Sequence, residues 1–159
     1  MSDKADWKLD DLTKRKRGEI TRHAFFKHQE ILGNTFKRVS GSHDLYFRRA
    51  CDGVILGITY SENSGDKWFF NLQGDLFHDA VLLCQIGPRS VRALHLPKRL
   101  LERYWSHLSR RGNQVLFHSS KEGQAWLFSI PEPVGKQDVT EFADAVELSC
   151  DALIIYDFD

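Results

Sequence analysis

Val54-Ile55-Leu56-Gly57-Ile58-Thr59-Tyr60 and Ala80-Val81-Leu82-Leu83-Cys84-Gln85-Ile86 are the two stretches on which the fold turns. Both are short and almost continuously apolar. A strand wetted on one face alternates, whereas runs like these suit strands covered on both faces. Gly87-Pro88 closes the second run, residues 91–96 alternate as a further strand, and Pro97 suits the first turn of a helix. That helix is expected to continue to Gly112, with Leu100, Leu101, Tyr104, Trp105 and Leu108 as one apolar stripe. Residues 114–118 and 125–129 flank Lys121-Glu122-Gly123 as a hairpin. Pro131-Glu132-Pro133 then breaks the chain, a short helix is expected over 141–148, and a last strand over 153–156.

Toward the N-terminus, the polar turn 61–66 separates the first run from a strand over 67–72. Residues 44–49 alternate, with Leu45 and Phe47 on one face and Tyr46 and Arg48 on the other. A strand over 35–39 precedes the turn Ser40-Gly41-Ser42. Before it, a helix runs from Gly18 or Glu19 to Leu32, with Ile20, Ala24, Phe25 and Ile31 on one side and Gly33-Asn34 as its stop. Strands gather in the middle instead of alternating with helices, so the expected class is α+β, a mixed central β-sheet flanked by helices. Residues 1–16 are expected to be a flexible lead-in of mixed charge, and 17–159 a single domain.

The 159 residues are 42% hydrophobic and 28% charged, with eleven Phe, four Trp and four Tyr, which excludes global disorder. No apolar run reaches the ~20 residues that span a bilayer, so no membrane partner is expected. Cys51, Cys84 and Cys150 are odd in number and far apart, which fits reduced thiols in a cytoplasmic protein. Net charge is zero but uneven. The segment from Asp138 holds seven acids and no Lys or Arg, leaving 22 cations against 15 acids before it. A basic body with an acidic end can bind polyanions, bind its own tail, or simply be solvated at its terminus. The run Lys14-Arg15-Lys16-Arg17 can likewise touch phosphates or sit in solvent before the helix.

The chain has no phosphate-binding G-x-x-x-x-G-K-[ST] loop, no G-x-G-x-x-G, no H-E-x-x-H and no G-x-S-x-G. Its seven histidines are scattered without metal-ligand spacing.

The order of elements over residues 17–97 carries one resemblance. Gly18-Glu19 opens a helix, Asp44-Leu45 begins the second strand, and the apolar third strand is followed by a polar turn and Trp68-Phe69-Phe70-Asn71. This resembles the PD-(D/E)XK nucleases and their restriction-endonuclease-like core. The resemblance implies that Glu19 and Asp44 hold a metal, Mg2+, and activate water. Where the family has Glu-x-Lys, this chain has Gly57-Ile58-Thr59. Glycine offers a cation no carboxylate, and threonine offers a phosphoryl oxygen no charge. Either the site is degenerate or Glu62, Asp66 and Lys67, with Asp52 a further candidate, replace what is missing.

Three functions therefore stand open. The leading one is a nuclease-like DNA-binding domain with a degenerate catalytic site, binding through Arg48, Arg49, Lys98, Arg99, Arg103, Arg110 and Arg111. The second is an active metal-dependent DNA endonuclease using Glu19, Asp44, Glu62 and Lys67. The third is an interaction adaptor or inhibitor whose protein partner engages the acidic C-terminal segment. Homodimer formation is left open.

Overall fold

The computed structural model describes residues 7–39, 45–74 and 76–149. Among the described residues, two α-helices and eleven strands in two sheets make a mixed α+β architecture. Helix α1 spans Lys14–Ile31 and α2 spans Lys98–Tyr104. The strands are β1 (Phe36–Arg38), β2 (Tyr46–Arg49), β3 (Ile55–Ser61), β4 (Lys67–Gln73), β5 (Asp79–Gly87), β6 (Ser90–Leu96), β7 (Arg110–Arg111), β8 (Gln114–Glu122), β9 (Ala125–Ile130), β10 (Gly135–Asp138) and β11 (Ala143–Glu147). The first sheet has the order β1-β2-β3-β5-β6-β11, mixed because β3 and β5 run parallel. The second is antiparallel, β10-β9-β8-β4, with β7 paired to β8. No helix among the described residues is long and apolar enough to cross a membrane.

The two apolar runs are the central strands β3 and β5, and both of their faces are covered. On one side, Leu56, Ile58, Val81 and Leu83 pack with Ile20 and Phe25 of α1. On the other, Ala80, Leu82 and Cys84 pack against Phe70, Leu72, Phe117 and Phe128 of the second sheet. The molecule is thus layered as helix, sheet, sheet. Polar bonds cross between the sheets: Trp68 Nε1–H donates to the Gln85 carbonyl at 2.9 Å, and the Phe69 N–H donates to Ser61 Oγ at 3.2 Å. Burial pushes the Cys84 thiol up to about 12, so this cysteine is a core filler and not a nucleophile.

Several expectations change. Order begins before residue 17: Trp7 and Leu9 are buried in the helix-side core, and the Leu9 N–H donates to the Pro88 carbonyl at 2.7 Å. Thr13 caps α1, its hydroxyl accepting from the Lys16 N–H, so the basic run forms the first helical turn. At the other end of α1, Ile31 leaves the apolar side and is 84% exposed. Tyr46 and Phe47 face opposite cores as their alternation predicts, but Leu45 packs with the core of Tyr46 and not with that of Phe47.

The second helix is shorter than its stripe suggested. It gives way to a 3-10 turn at Trp105–His107, and Leu108 turns extended. The Arg110 guanidinium accounts for the break. It donates to the Trp105 and Leu108 carbonyls at 3.0 and 2.9 Å, taking acceptors that further helical turns would have used. Residues 141–148 are not helical. After a 3-10 turn at Thr140–Phe142 they form β11, antiparallel to β6, with Val146 and Leu148 buried under α1. The expected strand 153–156 lies outside the described residues.

Candidate functional site

Glu19 lies on the exposed flank of α1, with Arg15 Nε 3.3 Å from its carboxylate. It lines a cleft of about 280 Å³ together with Arg22, Leu45 and Thr59. Asp44 itself lies outside the described residues. The cleft nevertheless brings together three places the sequence argument singled out: the helix acid, the neighbour of the second-strand acid, and the last residue of Gly57-Ile58-Thr59.

Gly57 is turned elsewhere. A Cβ at this position would stand 2.9 and 3.0 Å from the two methyls of Leu72, inside the contact between the sheets. Any side chain there would have to displace Leu72, so position 57 is a packing position that faces the contact between the sheets. Glu62 and Lys67, expected as replacements, line a different cleft from the one that Glu19 lines. Glu62 is paired with Arg17 at 2.9 Å, and Lys67 opens β4. Asp52 is held by Arg49 at 3.1 and 2.9 Å. That guanidinium, with the Val54 N–H, keeps its carboxyl low, at about 2. Among the described residues, no group of three or more His, Cys, Asp or Glu side chains could hold a metal ion.

The seven expected DNA-binding cations do gather at one end of the two sheets. Arg48 and Arg49 end β2 beside the start of β3, and α2 begins where Asp79, at the start of β5, accepts the Lys98 N–H. Arg110 and Arg111 pair with Val115 and Gln114 at the start of β8. Most of these side chains have structural work, however. Arg49 holds Asp52, Arg48 donates to the Gly53 carbonyl at 3.2 Å, and Lys98 is 3.8 Å from Glu102. Arg99 covers Phe142, Arg103 covers Tyr104, and Arg110 covers Trp105. Asp79 anchors this end. Burial raises its carboxyl pKa, but His95 at 2.8 Å, the Lys98 N–H and Arg49 outweigh burial, and the net direction is down.

The opposite end holds a cavity of about 540 Å³. It lies against the outer face of the second sheet, where no helix among the described residues covers the strands. The register builds it: Lys136 of β10 pairs with Ser129 of β9, Ser129 with His118 of β8, and His118 with Phe69 of β4. Directly paired residues present their side chains on the same face, so these four form one row across the sheet. Lys67 stands opposite Ser120 in the next row, and Lys14, in the first turn of α1, closes the cleft from the side. Lys136 also reaches Glu122 at 2.6 Å.

Two features of this cleft are chemically specific. Phe69 is 43% exposed, and its ring centroid lies 4.9 Å from that of His118. The His118 ring is exposed on this face, and partial desolvation by its neighbours lowers its pKa below the ordinary 6.5, which favours the uncharged ring near neutral pH. The Ser120 hydroxyl is buried in the wall with no hydrogen-bond partner. Around these groups stand three lysines and the amino end of an 18-residue helix whose first turn is Lys14-Arg15-Lys16-Arg17. Cations at that end of a helix oppose its dipole and add to its positive potential. The sequence argument named Glu62 and Lys67 of this cleft but missed Phe69, His118, Ser129 and Lys136. The alternation of 67–70 carried a signal for part of it: Trp68 and Phe70 point inward, which puts Lys67 and Phe69 outward. No protein-family model, curated protein or solved structure matches the chain.

Proposed function

We propose that the chain is a nucleic-acid-binding domain, nuclease-like in the order of its elements but without hydrolytic chemistry of its own, and that it holds DNA in the lysine-lined cleft at the free face of its second sheet. The observation that carries this reading is the convergence of Lys14, Lys67 and Lys136, from three distant parts of the chain, on one concavity. A polyanion gains affinity wherever cations line its path, through release of condensed counterions. At the arginine end Arg48, Arg49 and Arg110 already hold carbonyls and Asp52, whereas in the cleft Lys136 is paired with Glu122 and Lys14 and Lys67 make no ion pair among the described residues. Hydrolysis is left out because Gly57 offers neither a ligand nor room for one.

The test is fluorescence anisotropy with labelled DNA over a salt series. Binding at about 25 mM salt that weakens log-linearly as salt rises is expected. Lys67→Ala and Lys136→Ala should each weaken binding on every sequence alike and reduce the salt slope by about 1. Arg111→Ala, at the other end, should leave both unchanged. Plasmid DNA should stay intact in magnesium or manganese. Nicking that requires Glu19 would overturn the reading in favour of an active endonuclease. Absence of binding at low salt would leave the adaptor role.

A further inference from the structure

We infer that the ligand of this cleft is single-stranded nucleic acid, one base of which stacks on Phe69 where that ring meets His118. The inference rests on the proposed nucleic-acid reading and specifies the form of the ligand. Among the described residues, the exposed large hydrophobics are Ile31, Leu32 and Phe69; Phe69 is the aromatic one of these, and it lies in a cleft with three lysines. It sits on β4, an edge strand of the second sheet. An exposed aromatic ring on a sheet edge invites unwanted pairing, so natural edges seldom carry one without a use for it. Lys67 two residues before it keeps the edge charged, which guards against sheet extension while leaving the ring open on the face.

The arrangement matches what an unpaired strand needs. Each base has a flat apolar face, and an aromatic side chain on an open sheet offers it a stacking platform that tolerates any sequence. The backbone needs cations beside the platform. Three strand spacings separate Phe69 from Lys136, or ~14 Å at the ordinary distance between strands. That reach places a base at one end of the row and a phosphate one or two nucleotides along at the other. Lys67 and Lys14 lie on the near side. A cavity of about 540 Å³ accepts one nucleotide, well short of a duplex. Duplex DNA could touch the lysines at the rim, but its bases are stacked on one another and cannot reach the ring.

The experiment compares a labelled oligothymidylate of about a dozen nucleotides with a duplex of equal phosphate content, both at about 25 mM salt. The single strand should bind at least about tenfold more tightly. Phe69→Ala should weaken single-strand binding about tenfold, within the range for loss of one base–aromatic stack, and leave duplex binding within about twofold. Phe69→Trp should retain the single-strand affinity. Because Phe69 is half exposed, its replacement is not expected to unfold the domain, and an unchanged thermal midpoint checks this. Equal affinity for both forms, or a Phe69→Ala variant that binds the single strand as before, would overturn the inference while leaving a general DNA-binding domain standing. Failure of either form to bind would overturn the parent reading and this one together.

Discussion

Gly57→Ala puts the close approach of β3 to Leu72 of the second sheet under direct test. The new methyl would stand 2.9 and 3.0 Å from Leu72 Cδ1 and Cδ2 and 3.4 Å from its Cγ. Ordinary carbon–carbon contact is ~3.5–4.0 Å, so the side chain must withdraw by half an ångström or more. Leu72 is 1% exposed and belongs to the same core as Phe70, Leu82 and Phe117, so its retreat displaces a packed neighbour. Extra methylenes in a tight core cost roughly 1–3 kcal/mol. Against that, replacing glycine by alanine at a permitted backbone conformation stabilises by ~0.4–1 kcal/mol through the unfolded chain. The net expectation is a loss of about 0.5–2 kcal/mol, read as a lower urea midpoint at unchanged slope. Gly57→Glu, which would supply the acid that the nuclease resemblance implies at this position, should be far worse, because its carboxylate would enter the apolar core without a partner. Leu72→Ala alone should cost ~2–5 kcal/mol, and adding Gly57→Ala to it should cost less than the separate effects combined, since the truncated side chain vacates the space. A neutral or stabilising Gly57→Ala, strict additivity of the pair, or a folded Gly57→Glu protein that gains magnesium-dependent cleavage would each refute this account of the position.

Two further predictions concern stability. His23 and His118 both have pKa values lowered from 6.5, in each case chiefly by burial, so the unfolded chain takes up protons before the folded one as pH falls. Stability should therefore be level above about pH 7.5 and decline as pH falls below about 6.5, with a second loss that sets in as pH falls below about 4 and is complete once folded Asp79 is protonated; a thermal midpoint as high at pH 5 as at pH 7.5 would contradict this. Arg110→Ala should lower stability by about 1–3 kcal/mol in urea unfolding, because two carbonyls at the end of α2 lose their donor and Trp105 loses its cover, whereas Arg111→Ala should stay within about 0.5 kcal/mol.

The central strands were legible because burial on both faces leaves a mark that survives in sequence, a short run with almost no polar interruption. Residues 143–147 left no such mark. Ala143, Val146 and Glu147 fit a helical spacing as well as a strand, and pairing with β6, more than fifty residues earlier, decides between the two. The end of α2 was hidden for a related reason. Its apolar stripe runs through Leu108, but the side chain that stops the helix lies beyond it and acts through space. The candidate site divides in the same way. Lys67 and the alternation around it can be read locally, and the basic run at 14–17 is plain in composition. The row of Phe69, His118, Ser129 and Lys136 exists only through three strand registers spanning some seventy residues, and nothing local specifies those registers. Gly57 shows the converse. Its missing carboxylate could be read as chemical decay, while its neighbour Leu72 supplies a steric reason that has nothing to do with catalysis.

Between the parallel strands β3 and β5 the chain leaves the first sheet, lays down β4 in the second, and returns. The chain crosses again after β6, lays down β7 to β10 in the second sheet and returns to the first as β11, so the layers are stitched twice, and β5 is the common wall of both interiors. Such a molecule has no natural seam. Neither layer can be excised as a smaller folding piece, and amides of β3, β4 and β5 should exchange with solvent only through global opening, at one shared rate limit. A ligand gripping the outer surface of β4 would therefore brace the far helix as well, although it never touches it.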